Sequence, residues 1–180
     1  MARAKRPDLS SGLQPPTLIP LDRTQRKHNP FINSPAGGRI LSAMQLPFFI
    51  LRPPAGYGVL TTTGRKTGKT RRRCVRAVRR DHKVYIVAIK GARTGWLKNV
   101  LANPEVRLRI GGGAFAGIAR EVRATERPEA MDAYCERKSP FEYMEYSMWR
   151  RGRATPSRII ELHRTWFNEG TPLVVELQAP

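Results

Sequence analysis

The stretch that decides the fold is Gly58–Ile89, GVLTTTGRKTGKTRRRCVRAVRRDHKVYIVAI. Its first and last parts, Gly58–Thr63 and Lys83–Ile89, are rich in β-branched and aromatic residues, which is typical of strands. Short polar turns separate them from a third, partly alternating segment, Arg71–Arg80. Strands joined by such short turns pair antiparallel, so this stretch predicts a small barrel rather than a parallel sheet.

Downstream of this stretch, helical and strand patterns follow each other. A short helix is predicted over Gly95–Ala102, and Val106–Ile110 with Ala114–Val122 forms a hairpin around a glycine turn. Further helices are expected over Pro128–Lys138, over Phe141–Trp149 and from Thr155-Pro156 to Gly170, and a last strand over Leu173–Leu177. The sequence therefore predicts an α+β domain of about six mostly antiparallel strands with flanking helices.

The N-terminal part of the chain has a different composition. Residues 1–38 are basic and rich in proline, which predicts a flexible tail before a folded domain over residues 39–180. Arg39–Leu51 is apolar but has 13 residues, fewer than the ~20 that a membrane span needs, and it contains Pro47. We interpret it as a helix that packs over a barrel mouth, with a membrane-surface or partner-facing role as the alternative.

The charge of the chain is strongly positive. Its 33 Lys and Arg against 14 Asp and Glu give +19, and such a surface attracts nucleic acid, anionic lipid or multiply acidic small molecules. In Arg65–Arg80, nine of 16 residues are basic, whereas ten of the 14 acidic residues lie from Glu121 onward. We interpret Arg65–Arg80 as an anion site, and the alternative is a solvated basic surface.

Common catalytic motifs do not occur in the sequence. Gly64–Thr70 lacks the Walker A spacing, because only three residues separate its first glycine from Gly-Lys, and it lies between strands. No G-x-G-x-x-G follows a strand, no G-x-S-x-G occurs, and the three histidines are scattered, so we expect no metal site. Acidic residues are too sparse in the central strands for paired-carboxylate chemistry. An enzyme with this sequence would rely on a bound cofactor.

Three segments can together form such a cofactor site. Thr61–Arg71, TTTGRKTGKTR, joins a glycine turn to several cations and can hold a phosphate or carboxylate. Val87–Gly91 is a strand end with small residues and one lysine. Gly95–Pro104 places Trp96 and Asn99 on one helix face. A flat apolar ring could lie against the strand end, with its polar edge contacted by backbone N–H groups and the lysine.

In these residues the sequence resembles the deazaflavin-dependent nitroreductase family, also called the F420H(2)-dependent quinone or nitro reductases. Members of that family carry T-T-x-G-R-K-[ST]-G-x-x-R, a strand ending A-S-K-G-G, then W-Y-x-N-L-x-A-N-P-x-V and a closing P-L-V-V strand. This chain has TTTGRKTGKTR, AIKGA, WLKNVLANPEV and TPLVVEL in the same order. The resemblance covers residues 57–124 well and 139–177 loosely.

The resemblance implies a split β-barrel related to FMN-binding barrels, and a deazaflavin cofactor, coenzyme F420, with a phosphate and an acidic glutamate tail. By position, it implies that the phosphate is held by Arg65, Lys66 and Thr67. It implies that Arg71, Arg72, Arg73, Cys74, Val75 and Arg76 run along the cofactor, with the arginines near its acidic tail. Contacts to the ring would come from Ala88, Ile89, Lys90 and Gly91, while Gly95, Trp96, Leu97, Lys98 and Asn99 would close over it.

A tyrosine pair lines the substrate side in the family, and Tyr143 and Tyr146 resemble it loosely. Tyr143 is also the candidate catalytic residue, as a proton donor or as a group that only shapes the pocket. The chain departs from the family pattern at Cys74-Val75, where Pro-Leu is frequent, at Ala92 in place of glycine, and at Leu97 in place of tyrosine. These departures leave the cofactor motif in place.

The resemblance therefore predicts a cytoplasmic reductase that transfers a hydride from reduced deazaflavin to a quinone, nitro compound or similar activated acceptor. FMN in the same barrel is one alternative. A basic nucleic-acid-binding module is another, although no nucleic-acid-binding motif occurs. A deazaflavin binder without activity is the third. The expected partners are the cofactor and a small acceptor, not nucleic acid. Peripheral membrane contact stays open, and any oligomer is expected to be a dimer.

Overall fold

Six antiparallel strands close into a barrel in the computed structural model, which describes residues 46–178. The strands are β1 Tyr57–Thr63, β2 Thr70–Arg80, β3 Lys83–Ala88, β4 Glu105–Ile110, β5 Gly113–Glu121 and β6 Thr171–Leu177. They pair in the order β1-β2-β3-β6-β5-β4, and β4 pairs again with β1. The predicted α+β class and antiparallel barrel are confirmed. The predicted tail over residues 1–38 lies outside the described residues.

Alternating side chains on the strands separate the barrel core from its outer wall. On β4, Val106, Leu108 and Ile110 are buried, and the intervening residues face outward. The interior side chains include Leu60 of β1 and Ile86 of β3, both fully buried. The strand register therefore determines which of the many arginines lie on the outer wall and which lie on the face that continues the core.

The helices that follow β3 flank or close the barrel: α1 Gly95–Ala102, α2 Arg127–Cys135, α3 Phe141–Trp149 and α4 Pro156–Glu169. Helix α1 connects β3 to β4 and inserts Leu97 and Val100 into the barrel core. Helix α4 begins as predicted, since Thr155 Oγ1 accepts a hydrogen bond from the Arg158 amide at 3.4 Å.

The C-terminal ends of α2 and α4 differ from the sequence prediction. Helix α2 ends earlier than predicted, and α4 ends at the predicted glycine for a different physical reason. Helix α2 ends at Cys135 rather than Lys138, because the carbonyls of Tyr134 and Glu136 accept hydrogen bonds from buried Arg76 at 3.1 and 2.6 Å. Gly170 ends α4 as predicted, but without a left-handed conformation. A Cβ there would lie 2.6 Å from the Trp166 carbonyl oxygen, so close packing requires the glycine.

Residues 46–51 are helical and pack on the outer wall of the barrel. Phe49 is 2% exposed and forms an edge-on aromatic cluster with Tyr57 and Phe141. Residues 39–45 of the segment that the sequence placed over a barrel mouth lie outside the described residues. Its described part packs on the wall, and α1 supplies residues that plug one end of the barrel. Within residues 46–178, no helix has the length and apolar character needed to cross a bilayer.

A buried polar network ties α3 to the barrel. Glu142 on α3 is fully buried, and its Oε1 accepts a hydrogen bond from Arg76 of β2 at 2.7 Å. One turn later, Glu145 Oε2 accepts a hydrogen bond from Tyr57 of β1 and lies 3.4 Å from His163 Nε2 on α4. These contacts hold α3, with Tyr143 and Tyr146, against β1, β2 and α4.

His163 makes the stability of this region dependent on pH. Burial is the largest cause that lowers the pKa of His163, and Arg76 lowers it further, while Glu145 and Glu142 oppose the shift. Below the ordinary histidine pKa of about 6.5, the unfolded chain takes up a proton that the folded chain does not. The neutral, buried His163 side chain therefore contributes fully to the free energy of unfolding above about pH 6.5, and this contribution is lost as the pH falls.

We expect His163→Gln to flatten the dependence of the free energy of unfolding on pH between about pH 5 and 6.5. Urea unfolding at several pH values measures this slope. The exposed His82 is the matched control, and His82→Gln should leave the slope unchanged. An identical slope in wild type and His163→Gln would refute the assignment.

Candidate active site

The barrel topology brings the three segments singled out in the sequence to one end. Strands β1 and β3 both pair antiparallel to β2, so they run in the same direction and their C-terminal ends point toward the same end of the barrel. Residues 64–69 follow β1, residues 89–94 follow β3, and α1 then leads back to the start of β4, which pairs with β1. The turn, the strand end and the tryptophan-bearing helix therefore meet at this end.

The turn at residues 64–69 is held by its own backbone. The Gly64 amide donates a hydrogen bond to the Lys69 carbonyl at 2.9 Å, and the Gly64 carbonyl accepts from the amides of Thr67 and Gly68 at 3.1 and 2.8 Å. Gly68 has φ +64°, which favours glycine. The turn presents Arg65, Lys66 and Thr67 to solvent, as an anion-binding turn requires.

Asn99 of α1 fixes the turn to the barrel. It is 7% exposed. Its Oδ1 accepts a hydrogen bond from the Arg65 amide, and its Nδ2 donates to Thr62 Oγ1, both at 3.3 Å. The sequence placed Asn99 over the cofactor ring. The structure shows in addition that it joins β1, the turn and α1.

We expect Asn99→Ala to lower the free energy of unfolding by about 1–2 kcal/mol, because it leaves buried Thr62 Oγ1 without its partner. The turn also loses its tether, so we expect weaker binding of any anion at Arg65 and Lys66. Thermal unfolding and ligand titration measure the two effects. Asn103→Ala is the control, since the Asn103 side chain accepts a hydrogen bond from the neighbouring Glu105 amide and not from the turn. Equal ligand affinity in both variants would contradict a tethering role.

The cations of this region lack acidic partners among the described residues. No described carboxylate forms an ion pair with the exposed side chains of Arg65, Lys66, Lys69, Arg71 and Arg72. A cavity of about 380 Å³ is lined by Thr70, Arg71, Arg72, Arg73 and Leu46. Arg71 and Arg72 have no ion pair with a described carboxylate, and such guanidinium groups beside a cavity favour binding of phosphate or carboxylate.

Strand alternation divides the predicted run 71–76 between two faces. Arg71, Arg73 and Val75 share the face of Leu60 and the barrel core, through the β1–β2 register. Arg72, Cys74 and Arg76 share the outer face. Contact of all six residues with the cofactor stays a prediction, and alternation in the strand places their side chains on two faces.

Two residues of the outer set are engaged inside the protein. Arg76 is 5% exposed, and its guanidinium hydrogen-bonds to Glu142 and to the carbonyls of Tyr134 and Glu136. Burial raises the pKa of Cys74 to about 11, so its thiol is not an activated nucleophile. Both residues support the wall behind the cations.

Some of the residues predicted to contact or cover the cofactor ring are buried in the core, and others are accessible. Ala88 and Leu97 lie in the barrel core at 0% and 2% exposure. Ile89, Lys90 and Gly91 are half-buried at the strand end, and burial followed by Arg93 lowers the pKa of Lys90. On α1, Gly95 and Lys98 are exposed and Trp96 packs partly against the core. The accessible set therefore combines one lysine, glycine backbone and an indole.

The two tyrosines lie in one aromatic cluster with the end of β3. Tyr146 is 2% exposed and belongs to a buried hydrophobic cluster, against which Tyr143, Ile89 and Trp149 pack. The Tyr143 hydroxyl accepts a hydrogen bond from Arg137 at 3.2 Å. Its own hydrogen is therefore available to another acceptor.

Sequence reasoning missed Arg137, whose guanidinium also lies 5.2 Å from the Tyr143 ring centre. Arg137 follows the end of α2, where no helical spacing links it to α3. The Ser139-Pro140 turn, which begins α3, brings the two side chains together. No motif in the sequence marks this pair.

Comparison with known proteins identifies the family. The model of the F420H(2)-dependent quinone reductase family matches residues 52–160, which include β1 to β5, the cationic turn, α1 and both tyrosines. Among proteins of curated function, none matches the chain significantly.

Solved structures are similar to the chain at modest overlap. One is an F420-H2 dependent reductase that is 26% identical, with 67% of this chain and 94% of that chain covered and a TM-score of 0.45. Another, described as a domain-swapped dimer, is 24% identical over 68% and 81% of the two chains, with a TM-score of 0.46. An FAD-binding protein from Mesorhizobium loti is 14% identical over 77% and 91%, with a TM-score of 0.43.

The family model spans more than half of the sequence. The residues present also fit an anionic redox cofactor, since unpaired cations border the turn and the cavity beside it. The chain therefore belongs to the F420H(2)-dependent quinone reductase family, and it is an oxidoreductase whose cofactor is coenzyme F420.

Proposed function

We propose that the enzyme passes a hydride from reduced F420 to a quinone, a nitro compound or a similar activated acceptor that binds beside Tyr143. The observation that supports this proposal is that half-buried Ile89, Tyr143 and Trp149 pack against one buried hydrophobic cluster next to the end of β3. Flat aromatic acceptors stack favourably on such side chains. Positioning of cofactor and acceptor would then supply most of the rate enhancement.

We infer that the anionic arm of F420 binds along the cationic turn. Arg65, Lys66 and Thr67 would hold the phosphate, while Arg71 and Arg73 extend the positive surface from the same end of β2. Lys90, Gly91, Gly95, Trp96 and Lys98 would border the ring. Buried Arg76, Ala88 and Leu97 would support these groups from behind without contacting the cofactor through their side chains.

Tyr143 is proposed to donate the proton that accompanies hydride transfer. The Arg137 guanidinium donates to its oxygen at 3.2 Å and would stabilise the charge left when the phenol hydrogen departs. Tyr146 is buried in the cluster and would support the ring of Tyr143 from beneath.

We expect Tyr143→Phe to lower kcat by about 100-fold or more, with unchanged affinity for F420. Steady-state turnover with saturating F420 measures the loss. Tyr85→Phe is the matched control, because the Tyr85 hydroxyl bonds Glu129 on another face of the barrel. A change confined to KM would assign Tyr143 to shaping the pocket instead.

The proposed reaction is tested by mixing the protein with reduced F420 and, separately, soluble benzoquinones, naphthoquinones and nitroaromatics. Saturable reoxidation above the uncatalysed rate supports the proposal. Binding of F420 without turnover of any acceptor would favour a cofactor carrier. Preferential binding of FMN in parallel titrations would overturn the assignment of the site. The dimer and the cytoplasmic location stay predictions.

A further inference from the structure

A second cationic cavity lies on the outer wall of the barrel. Thr61 on β1 pairs with Arg72 on β2 and with Arg107 on β4, so its hydroxyl lies between two arginines. In the next row on this face, Val59 pairs with Arg109. We call Arg72, Arg107 and Arg109 the outer arginine row.

The cavity beside the outer arginine row measures about 190 Å³ and is also lined by Ile50, Val59 and Ala114. This is larger than the ~150 Å³ cavity that binds benzene in an engineered protein. Its walls combine guanidinium groups with apolar side chains, so it suits an anionic group attached to an apolar body.

The outer arginine row has N–H donors and positive charge available to bind an anion. None of its three side chains forms an ion pair with a described residue. Among the described residues, Arg109 Nε is buried and has no hydrogen-bond partner. Glu105, two residues from Arg107 on the same face, is the nearest carboxylate along β4. A buried donor without a partner favours an acceptor supplied from outside.

An exposed apolar pair borders the same surface. Phe48 and Leu51 are 59% and 80% exposed, and their spacing places them on one side of the helical residues 46–51. Buried Phe49 anchors this helix to β1, and Ile50 lines the cavity. The apolar pair therefore lies on the helix that borders the cations.

We propose that this face binds anionic membranes, with the outer arginine row on lipid phosphate groups and with Phe48 and Leu51 in the interfacial layer. Apolar side chains beside cations are the combination that holds a protein at a membrane surface. The inference does not rest on the acceptor proposed above, since neither the apolar pair nor Arg107 and Arg109 belong to the proposed active site.

The test is flotation of the full chain with vesicles of phosphatidylcholine alone, or mixed with phosphatidylglycerol, at about 0.15 M salt. We expect binding to the mixed vesicles only. Arg107→Glu/Arg109→Glu and Phe48→Ser/Leu51→Ser should each weaken this binding by about tenfold or more. Affinity for F420 reports that the variants are folded, and Arg107→Gln/Arg109→Gln provides a milder second variant.

Two controls separate this face from the general charge of the protein. Arg151→Glu/Arg164→Glu changes the net charge equally at exposed positions elsewhere, and Leu101→Ser removes an apolar side chain that is also 59% exposed. Both should bind vesicles as wild type does. Equal loss in test and control variants would overturn the proposal.

Soluble ligands provide the remaining outcomes. If vesicles are not bound but inorganic phosphate binds and Arg107→Glu/Arg109→Glu abolishes it, the row serves a free phosphate and the membrane proposal is overturned. If an RNA or DNA duplex is bound in preference to vesicles through the same arginines, the proposal is likewise overturned. Each result is independent of turnover and so of the proposed reaction.

Discussion

Glu142→Ala is expected to lower the free energy of unfolding by about 3–5 kcal/mol, because it leaves the Arg76 guanidinium buried without its carboxylate. Arg76 and Glu142 are 5% and 0% exposed, and their charged atoms lie 2.7 Å apart. For a chain of this length, each kcal/mol corresponds to a shift of about 2–4 °C in Tm. We therefore expect the midpoint to fall by roughly 6–20 °C.

Urea unfolding of Glu142→Ala against two companions tests this cause. Arg76→Leu/Glu142→Leu removes both charges and should recover much of the stability, since a buried pair often contributes little against apolar residues. Arg80→Ala breaks an exposed pair with Glu136, whose side chains are both 44% exposed, and should cost less than about 1 kcal/mol. A double variant as unstable as Glu142→Ala would show that packing, and not the unpaired charge, causes the loss.

Lys66→Ala is expected to weaken the binding of F420 by about 10- to 100-fold, which is the loss for one charge-assisted contact to a phosphate. Once the cofactor is saturating, kcat should change much less, because Lys66 lies on the turn and not at the tyrosine cluster. The affinity of the variant should also fall less steeply with salt than that of wild type.

Fluorescence titration of the deazaflavin measures this affinity. Lys83→Ala is the control, because Lys83 begins β3 and therefore lies at the opposite end of the barrel from the turn. It should bind F420 as wild type does. Equal affinity in wild type and Lys66→Ala would contradict the placement of the phosphate at this turn.

Element types were predictable because local patterns and packing agree. The β-branched runs of β1 and β3 appear as strands, and Gly95–Ala102 and Phe141–Trp149 form helices with the predicted bounds. The cationic turn was also recognisable, since its glycines and basic residues are contiguous in the sequence. The hydrogen bonds that hold this turn to α1 were not predictable, because Asn99 contacts Thr62 and Arg65 across more than 30 residues.

Among the site residues too, local features were predictable from the sequence and contacts between distant residues were not. The sequence placed residues 71–76 along one ligand, which stays a prediction, and the β1–β2 register adds that alternate side chains of this run lie on opposite faces. No pattern in the sequence singled out Glu142 or Glu145. Their partners Arg76, Tyr57 and His163 come from three distant elements, and no local pattern records such contacts.

By itself, the sequence determined the α+β class, the antiparallel meander, the cationic glycine turn and the family, because each depends on residues close together along the chain. Only the tertiary structure decided which arginines face the core, the solvent or a carboxylate. Closing the barrel sets the strand register, and the register assigns each side chain to the inner or the outer face. The outer face of Arg76 in the buried Arg76–Glu142 pair and the alignment of the outer arginine row result from that closure, whereas the turn before α3 brings Tyr143 to Arg137.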